Sequence, residues 1–224
     1  MLTPDSFVRA ALPGMNNVTA IVHTAAAMGA RFTQYTAEFE PGGCLGDAAG
    51  QRFLFVIEGE ISVAWDGEEH RLTANGYAYF PAGAMHHVTA AGNSRAAVIE
   101  KPYHSLDGVR PPETFFGDES TIPPTPLGGD EGLQVHTLLP AATSFDFAVN
   151  TMTYVPGATL PMVESHVMEH GLLMLEGGGI YRLGDQWYPV AAGDFIWMAP
   201  YCPQWFGALG KTPARYLIYK DWNR

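Results

Sequence analysis

The sequence predicts an all-β protein built from two similar units, each folded as a sandwich or barrel of short strands. The 224 residues include 25 glycines and 17 prolines, which divide the apolar segments into short runs typical of strands and turns. Hydrophobic residues make up 47% and charged residues 16%, as expected of a folded globular chain. The same succession of turns occurs twice, at offsets of 115 to 119 residues, which indicates an internal duplication.

Strand signals follow one another through the first half of the chain. Residues 18–23 predict a short strand, and residues 31–40 predict a half-buried one because apolar and polar positions alternate there. Two alternating runs flank Asp66 and Gly67, and an Asp-Gly pair in that position is a strong hairpin signal. Further strands are predicted at residues 52–57, 76–80, 85–90 and 95–101.

The second half repeats this order after a proline-rich segment. Residues 105–130 contain five prolines and little periodicity, which predicts a linker without a helix. Beyond it, Pro156-Gly157 repeats an earlier Pro-Gly turn, and Gly184-Asp185 marks a second hairpin. We therefore predict an N-terminal barrel over residues 1–104, the linker, and a C-terminal barrel over residues 131–224.

Charge and composition exclude several classes of partner. The net charge is 12 − 23 = −11, which argues against binding to a phosphate backbone or to an anionic membrane surface. We expect no signal peptide, because no long apolar core follows a basic start in the N-terminal residues, and no apolar run approaches the roughly 20 residues of a membrane span. The two cysteines, Cys44 and Cys202, form no motif. We therefore expect a protein of the reducing cytoplasm.

One stretch of the C-terminal half concentrates metal-binding side chains. Glu164, His166 and His170 share parity in the segment VESHVMEHG, so an extended strand would turn them to one face. Four residues of strand span about 13 Å, whereas bonds to one ion measure roughly 2.0–2.2 Å. A shared ion therefore requires a bend between the two histidines. The alternative is a polar edge strand whose histidines face water.

The order of turns and strands resembles that of the cupin superfamily, which implies a bicupin, two tandem jelly-roll barrels. In cupins a first motif near a Pro-Gly turn supplies metal ligands and a second motif supplies one more. The N-terminal barrel has Gln51-Arg52 and His86-His87 at these positions, which predicts a structural barrel without metal and histidines used for packing or surface. In the C-terminal barrel Gln204 takes the last position. As an alternative to metal binding, Gln204 could cap the end of a strand. Glu164 could likewise be a solvated charge at the rim of the barrel.

Longer motifs make the resemblance more specific. VESHVMEHG, GGGIYRLGDQWYPVAAGDFIWM and YLIYKDWNR resemble the (S)-ureidoglycine aminohydrolase family, manganese-dependent bicupins that convert (S)-ureidoglycine and water to (S)-ureidoglycolate and ammonia in purine and allantoin degradation. The family has a glutamine 34 residues after its second histidine, as here (204 − 170). The resemblance implies one Mn(II) ion bound by Glu164, His166, His170 and Gln204. It also implies that the substrate contacts Glu164, Gln204, Tyr216 and Lys220, of which Glu164 and Lys220 are catalytic.

Other interpretations stay open at this point. Oxygen and imidazole ligands without thiolate suit Mn(II), but Fe(II), Ni(II) and Zn(II) are alternatives. A different metal-dependent cupin enzyme, such as a dioxygenase or isomerase, is an alternative function, and so is a bicupin that binds a small ligand without catalysis. We expect a small-molecule substrate, no nucleic-acid or membrane partner, and a homo-oligomer.

Overall fold

The computed structural model describes residues 1–221, and the chain divides into two compact units. The N-terminal unit is Phe7–Thr121, and the C-terminal unit combines Met1–Ser6 with the residues from Ile122 onward. The division between them lies inside the segment predicted as a linker. No helix of the described residues is long and apolar enough to cross a membrane. The helical turns in this range are short 3-10 segments at Pro4–Ser6, Ala26–Met28 and Glu119–Thr121.

The strands of the N-terminal unit form one antiparallel sheet whose buried side chains share a core. In sheet order they are β10-β7-β4-β9-β3-β8-β5-β6, with β2 paired to β3 and β1 to β2. Their bounds are β1 Val8–Ala10, β2 Met15–Thr24, β3 Thr33–Leu45, β4 Gln51–Glu58, β5 Glu60–Trp65, β6 Glu68–Thr73, β7 Gly76–Phe80, β8 His86–Ala90, β9 Ser94–Lys101 and β10 Phe115–Asp118.

The strands of the C-terminal unit form two antiparallel sheets that share one core. The larger sheet has the order β11-β12-β13-β19-β14-β17, and the smaller has the order β16-β15-β18. Apolar side chains of both sheets, among them Leu172, Tyr181, Phe206 and Ile218, form the core between them. Their bounds are β11 Thr125–Leu127, β12 Asp130–Thr137, β13 Phe147–Tyr154, β14 His170–Glu176, β15 Gly178–Leu183, β16 Gln186–Ala191, β17 Phe195–Met198, β18 Gln204–Ala208 and β19 Ala214–Asp221.

The first predicted hairpin is confirmed in its turn geometry. Asp66 and Gly67 join β5 to β6 with φ angles of 51° and 80°. A two-residue type I′ turn requires two such left-handed residues, and its backbone twist matches that of the flanking strands. The Asp-Gly pair therefore fixes the register in which Trp65 lies opposite Glu68.

Strand β3 is more deeply buried than the alternation predicted. Tyr35 and Ala37 are buried as expected, but Gln34 and Thr36 on the opposite face are buried as well. The prediction of a half-buried strand is wrong here, because β3 lies between β2 and β9 and its second face is also covered. The Thr36 hydroxyl meets the ring of His23 at 2.8 Å, which satisfies one polar group on that face.

Two segments hold more strand than the sequence predicted. Strand β2 covers ten residues because it pairs along β3, whereas local alternation indicated only residues 18–23. The segment 105–130 contributes a strand to each unit, since β10 pairs with β7 and β11 pairs with β12. Pairing with distant strands orders these residues, and their own composition does not reveal it.

The register of the larger C-terminal sheet brings several polar side chains to one edge. His170 opens β14 and pairs with Lys220 on one side and with Met198 on the other. Lys220 pairs in turn with Ala148, near the start of β13. Antiparallel neighbours thus place the beginnings of two strands beside the ends of two others, and the candidate site forms at that edge.

Candidate active site

An isolated β-bridge joins the two segments that carry Glu164 and Gln204. The backbone N–H of each residue donates to the carbonyl of the other, both at 2.8 Å. A third bond, from the Tyr201 N–H to the His166 carbonyl at 2.6 Å, fastens the same two loops. Residues that are far apart in sequence are therefore held side by side by their main chains, before any side chain contributes.

The bend that a shared ion requires is present between the two histidines. Residues 167–168 form a bend, and His170 then begins β14. The rings of His166 and His170 lie 5.0 Å apart between centroids. The Nε2 atom of His166 lies 3.1 Å from a carboxylate oxygen of Glu164. The structure thus brings Glu164, His166 and His170 together, which is incompatible with the edge-strand alternative.

These side chains fit a metal ion in donor type, and His170 also fits it in protonation state. Burial, assisted by the positive charge of Lys220, lowers the pKa of His170 to about 4, so its ring is neutral at physiological pH. The buried Nδ1 atom of His170 has no hydrogen-bond partner among the described residues. Within residues 1–221, no group of three His, Cys, Asp or Glu side chains is arranged so that all three could bind one metal ion. Two of the candidate ligands, His166 and Glu164, contact each other directly in this arrangement.

Lys220 places a partly buried cation at the edge of this cluster. Burial lowers the pKa of its amine, and the negative charge of Glu164 opposes that shift. No carboxylate among residues 1–221 forms an ion pair with this lysine. A buried ammonium without a close counter-ion is costly, so the position indicates a binding role for an anion.

Three buried tyrosine hydroxyls lie next to the candidate ligands. The sequence predicted a role in the site for only one of them, that of Tyr216. The hydroxyls of Tyr154 and Tyr216 are 2.7 Å apart, and Tyr181 donates to Gln204 Oε1 at 3.2 Å. Burial, followed by neighbouring groups that include Glu164, raises the pKa of each phenol. Tyr154 and Tyr181 occupy inward positions of strands that also look like plain core, so only the folded arrangement distinguishes them.

Glu169 is a second residue that sequence reasoning missed. Its side chain is buried, and the Trp197 indole N–H donates to its carboxylate at 2.8 Å. The backbone carbonyl of Glu169 accepts a hydrogen bond from the backbone N–H of Asp221 at 3.0 Å. Glu169 therefore anchors the chain between His166 and His170 to β17 and β19, and so fixes where β14 begins.

The duplicated strands allow a comparison of the two units residue by residue. His170 pairs with the last residue of β17, as Arg52 pairs with the last residue of β7. On its other side His170 faces Lys220, whereas Arg52 faces Glu100. The counterpart of Lys220 is therefore Glu100, which corrects the alignment of Ile218-Tyr219-Lys220 with Ile99-Glu100-Lys101 that the motif offset suggested.

A hydrogen-bonded ion pair occupies the equivalent place in the N-terminal unit. The buried Arg52 guanidinium donates to one oxygen of Glu100 through Nε and Nη2, each at 2.8 Å. Its Nη1 donates to the carbonyl of Gly46 at 2.7 Å and to His86 Nε2 at 2.8 Å, and Tyr35 donates to the same Glu100 oxygen at 2.9 Å. His86 thus serves packing, one of the two roles predicted for it.

Comparisons with known proteins identify the family of the chain. The family model of the cupin domain matches residues 36–100 and 150–219, one region in each unit. The chain is therefore a cupin protein with two cupin domains. It is 40% identical over its whole length to a protein of Oryza sativa subsp. japonica named "Probable (S)-ureidoglycine aminohydrolase", of which it covers 73%. It is 39% identical over its whole length to the (S)-ureidoglycine aminohydrolase of Arabidopsis thaliana, of which it covers 76%.

The chain belongs to the (S)-ureidoglycine aminohydrolase family. Among solved structures, the protein Ylba of Escherichia coli superposes with a TM-score of 0.89 at 29% identity, and the match covers 100% of this chain and 90% of that one. The fold, the duplication and the family expected from the sequence are thereby confirmed.

Proposed function

We propose that the chain hydrolyses (S)-ureidoglycine to (S)-ureidoglycolate and ammonia. Family membership supports this, and one observation of the site carries it: Lys220 pairs with His170 across the sheet, interacts electrostatically with Glu164, and forms no ion pair with any carboxylate of residues 1–221. A small anionic substrate offers little apolar surface, so its binding must come from a few charged contacts. The substrate carboxylate would be the ion-pair partner of Lys220.

We assign the metal site to four side chains and the ion to Mn(II). The donors are one carboxylate, one amide and two imidazoles, a set without thiolate that suits manganese. The neutral His170 ring supports the assignment, because a ligand histidine must be deprotonated. When bound, the ion supplies Lewis-acid stabilisation of charge that develops on the substrate. The four ligands are Glu164, His166, His170 and Gln204.

The reaction forms a bond between a water oxygen and the carbon that carries the amine, and it breaks the bond from that carbon to nitrogen. Glu164 takes a proton from the water and returns it to the departing amine, which leaves as ammonia. Lys220 holds the substrate carboxylate as a point charge. The Gln204 amide and the Tyr216 hydroxyl, which is supported by Tyr154, are the further polar contacts assigned to the substrate.

The test is ammonia release from freshly generated (S)-ureidoglycine by protein loaded with Mn(II). Production of ammonia and (S)-ureidoglycolate in equal amounts supports the proposal. Turnover of another substrate with dependence on oxygen or on Fe(II) points instead to a different cupin enzyme. Failure of the purified chain to retain any divalent metal points to a binding protein without catalysis.

We also propose that the chain forms a homo-oligomer. Met162, Val163, Val167 and Tyr201 are large apolar side chains that lie exposed on the two loops joined at the site. Such a cluster is typical of an interaction surface. Light scattering during size-exclusion chromatography measures the molar mass, and a monomer at micromolar concentration contradicts the proposal.

A further inference from the structure

Lys220 lines a cavity to which none of the four candidate metal ligands contributes. Its volume is about 220 Å³, small beside the roughly 300–1,000 Å³ typical of drug-sized sites. Most of its lining is apolar and comes from the loop and strand between Leu139 and Ala148. The polar side chains at its wall are Thr137, Asn150 and Lys220. The cavity therefore offers few polar contacts, which is typical of a site that selects a small ligand.

The strand register explains why the cavity lies there. Ala148 is directly opposite Lys220 across β13 and β19, and its methyl group leaves the space next to the lysine empty. Asn150 lies two residues further along the same face of β13, diagonal to Lys220. Diagonal neighbours on one face of a sheet are about 7–8 Å apart, so one small ligand can reach both.

The carboxamide of Asn150 is available for a ligand. The side chain is partly exposed and lines the cavity, and it makes no hydrogen bond within the described part of the chain. An amide carries a carbonyl acceptor and two N–H donors. It therefore matches a group that presents a carbonyl and an N–H on adjacent atoms, because it can both donate to and accept from such a group, whereas a carboxylate uses only its donors.

We propose that Asn150 is the specificity-determining residue for the ureido group of the substrate. The inference rests on the proposed function. It adds a binding partner for the ureido group, the one substituent of the substrate to which the proposed function gave none. The carboxylate meets Lys220, the carbon that loses its amine faces Glu164, and the ureido group enters the cavity and pairs with Asn150 through two hydrogen bonds. Substrates that carry carboxylate and amine but no ureido group are then bound poorly.

The test compares two inhibitors in the parent protein and in Asn150→Ala. (S)-Ureidoglycolate carries the ureido group and glycolate lacks it, and calorimetry gives a dissociation constant for each in the Mn(II)-loaded protein. We expect Asn150→Ala to raise the dissociation constant of (S)-ureidoglycolate about 10- to 100-fold, as the loss of one to two hydrogen bonds implies. The dissociation constant of glycolate should change by less than about twofold. The value of kcat/KM for (S)-ureidoglycine should fall by a similar factor.

The control is Gln134→Ala, which removes an amide from the neighbouring strand. That side chain bonds to Glu131 and does not line the cavity, so this variant should match the parent in both constants. Equal weakening of the two inhibitors by Asn150→Ala, or none, would overturn the inference. Should the parent release no ammonia, the proposed function fails, while the pair of dissociation constants still decides the role of Asn150.

Discussion

Lys220 pairs directly with His170 across β19 and β14, and with Ala148 across β19 and β13. This relationship places a cation between a candidate metal ligand and a residue that lines the cavity. The register follows from strand pairing along the whole of β19, so no local motif encodes it. The lysine proposed to bind the substrate carboxylate therefore lies beside a candidate metal ligand and lines the same cavity as Asn150.

The change Lys220→Met should remove activity while raising stability. Methionine keeps the length of the side chain but eliminates a partly buried charge that forms no ion pair within residues 1–221. Loss of a cation that pairs with a desolvated carboxylate costs roughly 30- to several thousand-fold in kcat/KM. Thermal melting should show a higher Tm than the parent, and bound manganese should be unchanged. Lys101→Met is the control, and comparable activity in the two variants contradicts the role of Lys220.

One metal ion should bind per chain, and the C-terminal unit should hold it. The N-terminal unit has Arg52 where the C-terminal unit has His170, and the guanidinium is already paired with Glu100. Elemental analysis of His166→Ala should show loss of manganese, whereas His86→Ala should retain it. Two equivalents per chain in the parent, or metal lost only from the His86 variant, would refute this assignment.

The ion pair of Arg52 should contribute more to stability than a surface pair of similar length. Arg52→Leu leaves Glu100 without its cation, and breaking a buried pair typically costs about 3–5 kcal/mol. The pair Arg71–Glu60 is also short, at 2.7 Å, but it is solvent-exposed, so Arg71→Leu should cost less than about 1 kcal/mol. Urea unfolding gives both values. Similar losses in the two variants would mean that burial does not set the strength of the N-terminal pair.

Burial of His23 should make the N-terminal unit less stable in acid. Desolvation, helped by the charge of Arg95, lowers the pKa of His23 from 6.5 to about 3. Between these two values the unfolded chain binds the proton and the folded chain does not, so stability is full above pH 6.5 and falls as the pH drops toward 3. From pH 6.5 to 5 the loss is about 2 kcal/mol.

Urea unfolding of the parent and of His23→Gln across this range measures the effect. The variant should show a smaller dependence on pH, because glutamine does not titrate. His87→Gln, at an exposed position of β8, is the control and should follow the parent. Identical pH slopes in the parent and in the His23 variant would contradict the prediction.

The sequence predicted those features that repeat along the chain or depend on near neighbours. Alternation and turn residues predicted most strands, and the repeated turns predicted the duplication. The spacing of Glu164, His166 and His170 required a bend, and the bend is there. These inferences succeeded because hydrophobic periodicity and turn conformations are local properties.

What the sequence did not predict depends on pairing between distant strands. The offset between the units is 118 residues at Arg52 and His170 but 120 at Glu100 and Lys220, so a motif alignment at 119 selected Lys101. The ion pair of Arg52 and Glu100, at the place equivalent to His170 and Lys220, was missed because it joins two strands that are distant in sequence. Tyr154 and Tyr181 were missed because a tyrosine that points into the core gives the same sequence pattern whether or not it lies next to a functional site.

The most direct measurement is the release of ammonia from freshly generated (S)-ureidoglycine by the Mn(II)-loaded parent, followed together with (S)-ureidoglycolate. The proposed function predicts one ammonia for each (S)-ureidoglycolate, loss of turnover after chelation, and recovery when Mn(II) is restored. His166→Ala, loaded in the same way, should stay inactive. Release at the spontaneous rate by the metal-loaded parent, with metal content confirmed at one ion per chain, would contradict it.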